Sequence, residues 1–289
     1  MPTRSSMDRL PYRFCDDVIS LLSSPLYLAE TKGTWSAVAQ RHSLHRVSYE
    51  FFLIRDDALN SWRYRFEGCG RNHSLSDLLS INWRYVRVQN AVFLRDHSTD
   101  QNIEISSSHL FSSLLPFVSA QLVHNSQFHL YLFGLDREVA FRILRIFDQK
   151  CQLSTISLPY FKDVSEEFLR SHTEAGGAAE VHFLDYWPES TKDFFLNYVK
   201  NTTSPVVNLP SDLQFDIEVL DVLWLDQTKD RSVSFASTIS EDQLREYHND
   251  LLTEQHERFV WRTPYGQFSA YLGVRGLFVK TTPTLIDVE

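Results

Sequence analysis

The chain has 289 residues, of which 43% are hydrophobic and 13% aromatic, and its formal net charge is −9. This apolar content is enough to build a full core, which argues against a disordered chain. Proteins that bind DNA or RNA through its phosphate groups are usually basic or carry a dense basic face, and this sequence shows neither, so DNA and RNA are not expected as partners.

Cysteine use and hydropathy indicate an intracellular protein that does not cross a membrane. The three cysteines, Cys15, Cys69 and Cys151, are far apart and form no metal-binding spacing, and they are too few to staple a secreted domain. No apolar run approaches the roughly 20 residues that span a bilayer, and residues 1–9 do not resemble a signal peptide. We therefore expect a cytoplasmic or nuclear protein with no membrane partner.

The first 45 residues predict two or three short helices. Leu10-Pro11 precedes a segment in which Phe14 and Val18 recur at helical spacing, and proline suits a helix start because its missing N–H needs no partner there. Residues 23–25 break this pattern, and a second helical stretch surrounds Trp35.

Strand signals begin after these helices. Residues 47–54 are rich in aromatic and branched side chains, and residues 62–66 alternate apolar and basic ones, which predicts a half-exposed strand. A turn is predicted at Gly68-Cys69-Gly70. Further short strands are predicted at 85–88, 102–105, 129–133, 154–158, 181–184, 206–209 and 220–225.

The strands after residue 129 recur about every 26 residues, which is typical of a repeated β–α unit. Helices fit the segments between them, starting at Arg137, at Ser165 and at Ser190 or Thr191. Ser165 is the predicted cap of its helix, and Gly176-Gly177 its end. Such units bury their faces by stacking on neighbours, so we expect a continuous sheet backed by helices.

The C-terminal part has a different pattern. Residues 231–236 predict a strand, and Ser240–Gln243 resembles a capping box that opens a long helix through Leu252. Residues 259–274 predict a hairpin that turns at 263–266, and residues 281–289 a polar tail. The predicted fold class is therefore α/β, with a short N-terminal helical segment, a leucine-rich-repeat-like β–α array, and a C-terminal helix and hairpin.

Signals for catalysis and metal binding are weak. The glycine-rich phosphate loops and the nucleophile elbow of common enzymes are missing, so we expect no catalytic residue, no cofactor and no metal. His42 and His45 lack a further ligand at a recognised spacing, and we interpret them as the surface end of a helix. The arginine pairs at positions 63/65 and 84/87 are interpreted as solvated strand faces.

The opening of the chain resembles a diverged F-box. The resemblance rests on Leu10-Pro11, on the helix Asp16-Asp17-Val18-Ile19-x-Leu21-Leu22, and on Trp35-Ser-Ala-Val38-Ala in a second helix. The whole chain also resembles nematode F-box-like families, through Met7-Asp8-x-Leu10-Pro11 at the start and Trp261-Arg-Thr-Pro264-Tyr-Gly266 near the end. The resemblance implies an F-box-like segment at residues 7–45 and an F-box-associated α/β repeat domain at residues 46–289.

The resemblance also implies a function. A protein of this kind would be a non-catalytic substrate adaptor of a cullin-RING (SCF-type) ubiquitin ligase, which binds a Skp-type linker protein and an unknown protein target. The residues that would contact the linker protein, or support that contact, are Leu10, Pro11, Val18, Leu21, Leu22 and Trp35.

Two alternatives remain open. In the first, the protein is a plain binding module without a ubiquitin role, and its N-terminal helices only cap the end of the array, since such arrays need terminal caps. In the second, it is an enzyme of unfamiliar type. Its site would then lie where the strands end, lined by several of His182, Asp185, Asp221 and Asp226.

Overall fold

A computed structural model describes residues 10–22, 24–57, 59–95, 102–148, 153–174, 178–203, 205–225, 230–247, 251–255, 258–263, 266–273 and 276–283. The chain divides into two compact units, Met1–Leu132 and Phe133–Glu289. Each unit combines helices with strands paired in both directions, so the α/β class is confirmed. The division into residues 7–45 and 46–289 stays a prediction; the helices before residue 46 belong to the first unit.

The first unit begins with helices and continues with a mixed sheet. Its helices are α1 (Tyr12–Leu21), α2 (Leu26–Ala29), α3 (Thr34–His45), α4 (Leu75–Ser80), α5 (Ser107–His109) and α6 (Leu115–Gln121). Its strands are β1 (Val47–Asp56), β2 (Ser61–Gly68), β3 (Arg71–His73), β4 (Val86–Arg95), β5 (Ile103–Ile105) and β6 (Leu122–Leu130). The strand order is β6-β4-β1-β2-β3, with β5 paired to β2.

Strand β1 lies within this sheet, parallel to β4 and antiparallel to β2. Its alternate side chains Tyr49, Phe51 and Leu53 are buried, as the period of two in a strand requires. The ring of Phe51 contacts those of Phe66 and Phe93 on the neighbouring strands, at centroid distances of 5.1 and 6.2 Å. The core of the unit therefore includes an aromatic row on one sheet face.

The second unit contains helices α7 (Arg137–Phe147), α8 (Asp163–Glu174), α9 (Lys192–Asn201), α10 (Ile217–Leu225) and α11 (Glu241–Glu246). Its strands are β7 (Leu153–Pro159), β8 (Glu180–Leu184), β9 (Val206–Asn208), β10 (Gln214–Phe215), β11 (Arg231–Ser237), β12 (Leu251–Gln255), β13 (Arg258–Thr263), β14 (Gly266–Gly273) and β15 (Gly276–Pro283). The strand order is β12-β13-β14-β15-β11-β9-β8-β7, with β10 paired to β11.

Strands and helices alternate in part of the second unit, whereas the leucine-rich-repeat-like character of the predicted array stays a prediction. Strands β7, β8, β9 and β11 lie side by side in the sheet in this order and run parallel. A helix lies in the chain segment between each pair. Their register aligns four buried branched side chains, which are Ile156, Val181, Val207 and Val233. A repeated apolar position thus forms one continuous row across the parallel part of the sheet.

Two predicted elements are wrong. Residues 220–225, expected as a strand, belong to helix α10, because an apolar run without alternation is compatible with either structure. The long helix expected from Ser240 ends at Glu246, and residues 251–255 form strand β12, which pairs with β13. Antiparallel pairing with the next strand, in which Gln255 lies opposite Arg258, decided this element, and helical periodicity does not report such pairing.

Further corrections concern shorter segments. Helix α8 begins at Asp163 instead of Ser165, and the buried Ser165 hydroxyl donates to the carbonyl of Pro159 and accepts from the N–H of Phe161. Residues 281–283 of the expected polar tail complete β15. Residues 284–289, 264–265 and 176–177, on which other predictions fall, lie outside the described residues.

Several local predictions are confirmed. Ser240 and Gln243 form the expected capping box at the start of α11. The turn between β2 and β3 is present, with positive φ angles of 53° at Cys69 and 75° at Gly70. Strands β13 and β14 form the expected hairpin. In the described part of the chain, every helix is too short or too polar to cross a membrane.

A candidate partner-binding surface on the N-terminal helices

The three N-terminal helices share a small apolar core. Cys15 and Ile19, four residues apart on α1, lie on one helix face and pack against Val38 and Ala39 of α3. All four side chains are fully buried. Leu10, Leu28, Ala29 and Trp35 cover this core from the outside. This core fixes α1 through the face that carries Cys15 and Ile19.

A buried polar pair joins α1 to α3 beside this core. His42 is fully buried, and its Nε2 lies 2.9 Å from Oδ1 of Asp16. Its Nδ1 accepts a hydrogen bond from Nε of Arg46 at 3.2 Å. The ring proton therefore belongs on Nε2, from which a neutral imidazole donates to the Asp16 carboxylate.

Two arginines hold the carboxyl end of α1. Arg46, directly after α3, donates to the carbonyls of Leu22, at 2.6 Å, and of Ile19. Arg87, on β4, donates to the carbonyl of Ser20 at 2.5 Å. The last carbonyls of a helix lack partners within the helix and carry partial negative charge, so both arginines satisfy and stabilise this end.

Arg84 binds the acidic pair near the middle of α1. Its guanidinium donates to the carboxylates of Asp16 and Asp17, at 2.5 Å for Asp17. Arg84 precedes β4, so this ion pair ties α1 to the sheet, whereas the bond between Asp16 and His42 ties it to α3. The side chain of Asp16 is almost buried, and its charge is therefore matched by both His42 and Arg84.

Burial and neighbouring charges shift the pKa values of this network. Burial alone would raise the pKa of Asp16, but hydrogen bonds from His42 and Arg84 outweigh it and hold the pKa below its ordinary value. Burial lowers the pKa of His42, which the hydrogen bond to Asp16 opposes and the charge of Arg46 reinforces. Burial, with the nearby charge of Arg46, lowers the pKa of Arg87 to about 10. At neutral pH the ionised carboxylate of Asp16 thus faces a neutral His42 imidazole.

Large apolar side chains are exposed on the first two helices and in the segment between them. Five large apolar side chains between residues 12 and 27 are exposed, and we refer to them as the N-terminal surface: Tyr12, Phe14, Leu22, Leu26 and Tyr27. Leu26 and Tyr27 are exposed by 61% and 85%. The ring of Phe14 contacts that of Trp35 edge-on at 6.3 Å, and the hydroxyl of Tyr12 accepts from Arg41 at 3.3 Å. Exposed apolar side chains concentrated on one segment are typical of interaction sites.

The six residues predicted to bind a linker protein occupy different environments. Leu10 and Trp35 are partly buried on the helical core, and the indole N–H of Trp35 has no acceptor among the described residues. Pro11 is exposed at the start of α1, Val18 is half-buried, and Leu22 is exposed after the helix. Leu21 is the last residue of α1, and its side chain lies outside the described part. Their binding role stays a prediction.

Sequence reasoning missed the residues that hold α1 in place. His42, interpreted as part of a surface helix end, is fully buried, and Arg87, interpreted as solvated, is also buried. The partners that join α1 to α3 and to the sheet are 24 to 68 positions apart in the chain, and local patterns do not report such pairs. A weak signal existed in α3, where His42 and Arg46 share one helix face four residues apart.

The other candidate sites are not assembled in the described residues. No group of three metal-binding side chains occurs among the described residues, so His42 and His45 do not belong to one there. His182 contacts Glu180 and Asn208, whereas Asp221 accepts a hydrogen bond from the hydroxyl of Tyr247 at 2.8 Å. Asp226 lies outside the described part. No protein-family model matches the chain, and comparison with curated proteins gives no match.

Proposed function

We propose that the protein is a non-catalytic adaptor that binds a Skp-type linker protein through its N-terminal surface and presents a target to a cullin-RING ubiquitin ligase. The observation that carries the proposal is the exposed apolar surface of α1 and α2, which lies on the segment that resembles an F-box. An adaptor of this kind acts by proximity, since it holds a target where another subunit performs the transfer.

The anchoring of α1 supports this proposal. A docking helix binds best when its conformation is fixed before the partner arrives, because less ordering is then required on binding. Here Arg46 and Arg87 satisfy the end of α1, and Arg84 fixes its acidic residues. These bonds hold Tyr12 and Phe14 at the surface although both are large and apolar.

The first experiment measures binding of the full chain to recombinant Skp-type linker proteins by biolayer interferometry. We expect the wild type to bind one of them and Tyr12→Ser/Phe14→Ser to bind it at least about tenfold more weakly, since aromatic anchors carry much of the energy of an interface. Neither side chain belongs to the buried core of the helices, so the double change leaves that core in place. Leu10 is a poorer choice because it packs against that core.

The matched control is Leu79→Ser, which removes an exposed apolar side chain from α4, outside the N-terminal surface. It is expected to bind the linker protein like the wild type. If the wild type binds none of the linker proteins, or if the double variant binds as well as the wild type, the adaptor proposal is wrong. The helices α1–α3 would then be a structural part of the first unit.

A further inference from the structure

The outer face of the sheet in the second unit carries a row of aligned side chains. The strand register places one residue from each of six neighbouring strands side by side, in the order His182, Asn208, Ser234, Phe278, Tyr271 and Arg258. The opposite face of these strands is buried, as Val233, Val279 and Ala270 illustrate. The row therefore faces outward from the core of this unit.

One end of the row is a hydrogen-bonded polar ladder. Nδ2 of Asn208 donates to Nδ1 of His182 at 3.0 Å, and the hydroxyl of Ser234 donates to Oδ1 of Asn208 at 2.6 Å. Nε2 of His182 lies 3.0 Å from the carboxylate of Glu180. These bonds fix the side chains in place, and the carboxylate of Glu180 is paired with His182.

The other end combines aromatic and basic side chains. Tyr271 and Phe278 are directly opposite each other on β14 and β15 and are 47% and 42% exposed. Arg258 is opposite Tyr271, and Lys280 follows Phe278 by two residues on the same face. Arg258 and Lys280 are exposed, and neither forms an ion pair with a described residue. Neighbouring strands are about 4.8 Å apart, and alternate residues on a strand about 7 Å, so both basic groups lie beside the aromatic pair.

We propose that this aromatic-basic patch, formed by Arg258, Tyr271, Phe278 and Lys280, binds an acidic peptide segment of the target protein, with an apolar side chain on the two rings and carboxylates on the two basic groups. Aromatic residues and arginine are the residue types that most often carry binding energy at interfaces. The formal charge of the chain is −9, so two exposed basic groups beside this aromatic pair are a local exception that favours an acidic ligand. This inference deepens the proposed function, since it names the class of target.

The test uses a phage-displayed library of random 12-residue peptides, selected on the full chain. We expect enriched peptides that place Asp or Glu on both sides of an apolar residue. Synthetic, fluorescein-labelled copies should bind the wild type in an anisotropy titration and bind Tyr271→Ser/Phe278→Ser at least about tenfold more weakly. Arg258→Glu/Lys280→Glu should lose the acidic peptides and gain binding to copies in which Lys replaces Asp and Glu. Leu79→Ser is the control and should bind like the wild type.

The inference is overturned if no peptide is enriched, if enriched peptides lack acidic residues, or if the aromatic double variant binds them like the wild type. Its failure is distinguishable from failure of the adaptor proposal, because Tyr12→Ser/Phe14→Ser should keep the acidic peptides while losing the linker protein. Conversely, Tyr271→Ser/Phe278→Ser should keep the linker protein while losing the peptides.

Discussion

Arg46 connects two helices through a single side chain. Its guanidinium donates to carbonyls at the end of α1 and to His42 on α3. We expect Arg46→Ala to lower the free energy of unfolding by about 1–3 kcal/mol, because it removes hydrogen bonds to two carbonyls at the end of α1 and leaves Nδ1 of the buried imidazole without this donor. Urea titration followed by circular dichroism measures this change.

The control for this substitution is Arg13→Ala on the exposed side of α1. A surface change of this kind is expected to alter the free energy of unfolding by less than about 0.5 kcal/mol. Equal effects of the two substitutions would contradict a special role for Arg46 at the end of α1. The comparison also removes any general effect of lowering the positive charge of the chain.

At this scale the sequence predicted part of the N-terminal site. The apolar spacing of α1 and the position of Pro11 predicted its helix, because both are properties of adjacent residues. The pairing of Asp16 with His42 spans 26 residues and depends on how α3 packs on α1. Tertiary packing of this kind leaves no periodic trace in the sequence, so the buried network was not foreseen.

Substitutions in α10 test directly whether residues 220–225 form a helix or the strand predicted from the sequence. Leu223 is 1% exposed and Leu225 is 86% exposed. Residues two apart point the same way in a strand but away from each other in a helix. We expect Leu223→Ala to cost about 2–5 kcal/mol of unfolding free energy and Leu225→Ala less than about 0.5 kcal/mol.

Chemical denaturation of both variants checks this expectation. Similar losses for Leu223→Ala and Leu225→Ala would indicate that the two side chains share one environment, as in the strand that the apolar run alone favours. A large loss confined to Leu223→Ala matches a helix that buries Val219, Leu220 and Leu223 together.

The elements that the sequence predicted well have strong local patterns. Strands β7, β8 and β9 were found from short apolar runs and their regular spacing, because each unit repeats the same buried position. Strand β11 was found from its own apolar run. Strands β12 and β15 were missed, since their pairing with β13, β14 and β11 joins segments without such a repeat. Local propensity is a weak guide where strand pairing determines the structure.

At the scale of the whole molecule, two buried histidines make stability depend on pH. Burial lowers the pKa of His42 in the first unit and that of His172, on α8, in the second unit. The Nε2 of His172 is buried with no partner in the described part of the chain. The unfolded chain, with ordinary histidine pKa values near 6.5, therefore binds protons more readily than the folded chain.

The sign of the effect follows from this difference. Stability is fully present above about pH 6.5 and is lost as the pH falls through the lower pKa values of the folded state. We expect the free energy of unfolding to fall between pH 7.5 and 5.5, and to fall less for His42→Gln/His172→Gln, which cannot take up these protons. The lowered pKa of Asp16 contributes only at more acidic pH, because an ordinary aspartate titrates near 3.9.

Urea titrations at both pH values measure the change, and His45→Gln, which removes an exposed histidine from the same helix as His42, is the control. Its loss of stability on acidification should equal that of the wild type. The single variants then separate the two units, since His42→Gln and His172→Gln should each remove part of the loss. A double variant that loses as much stability as the wild type would show that neither imidazole is kept neutral by the fold.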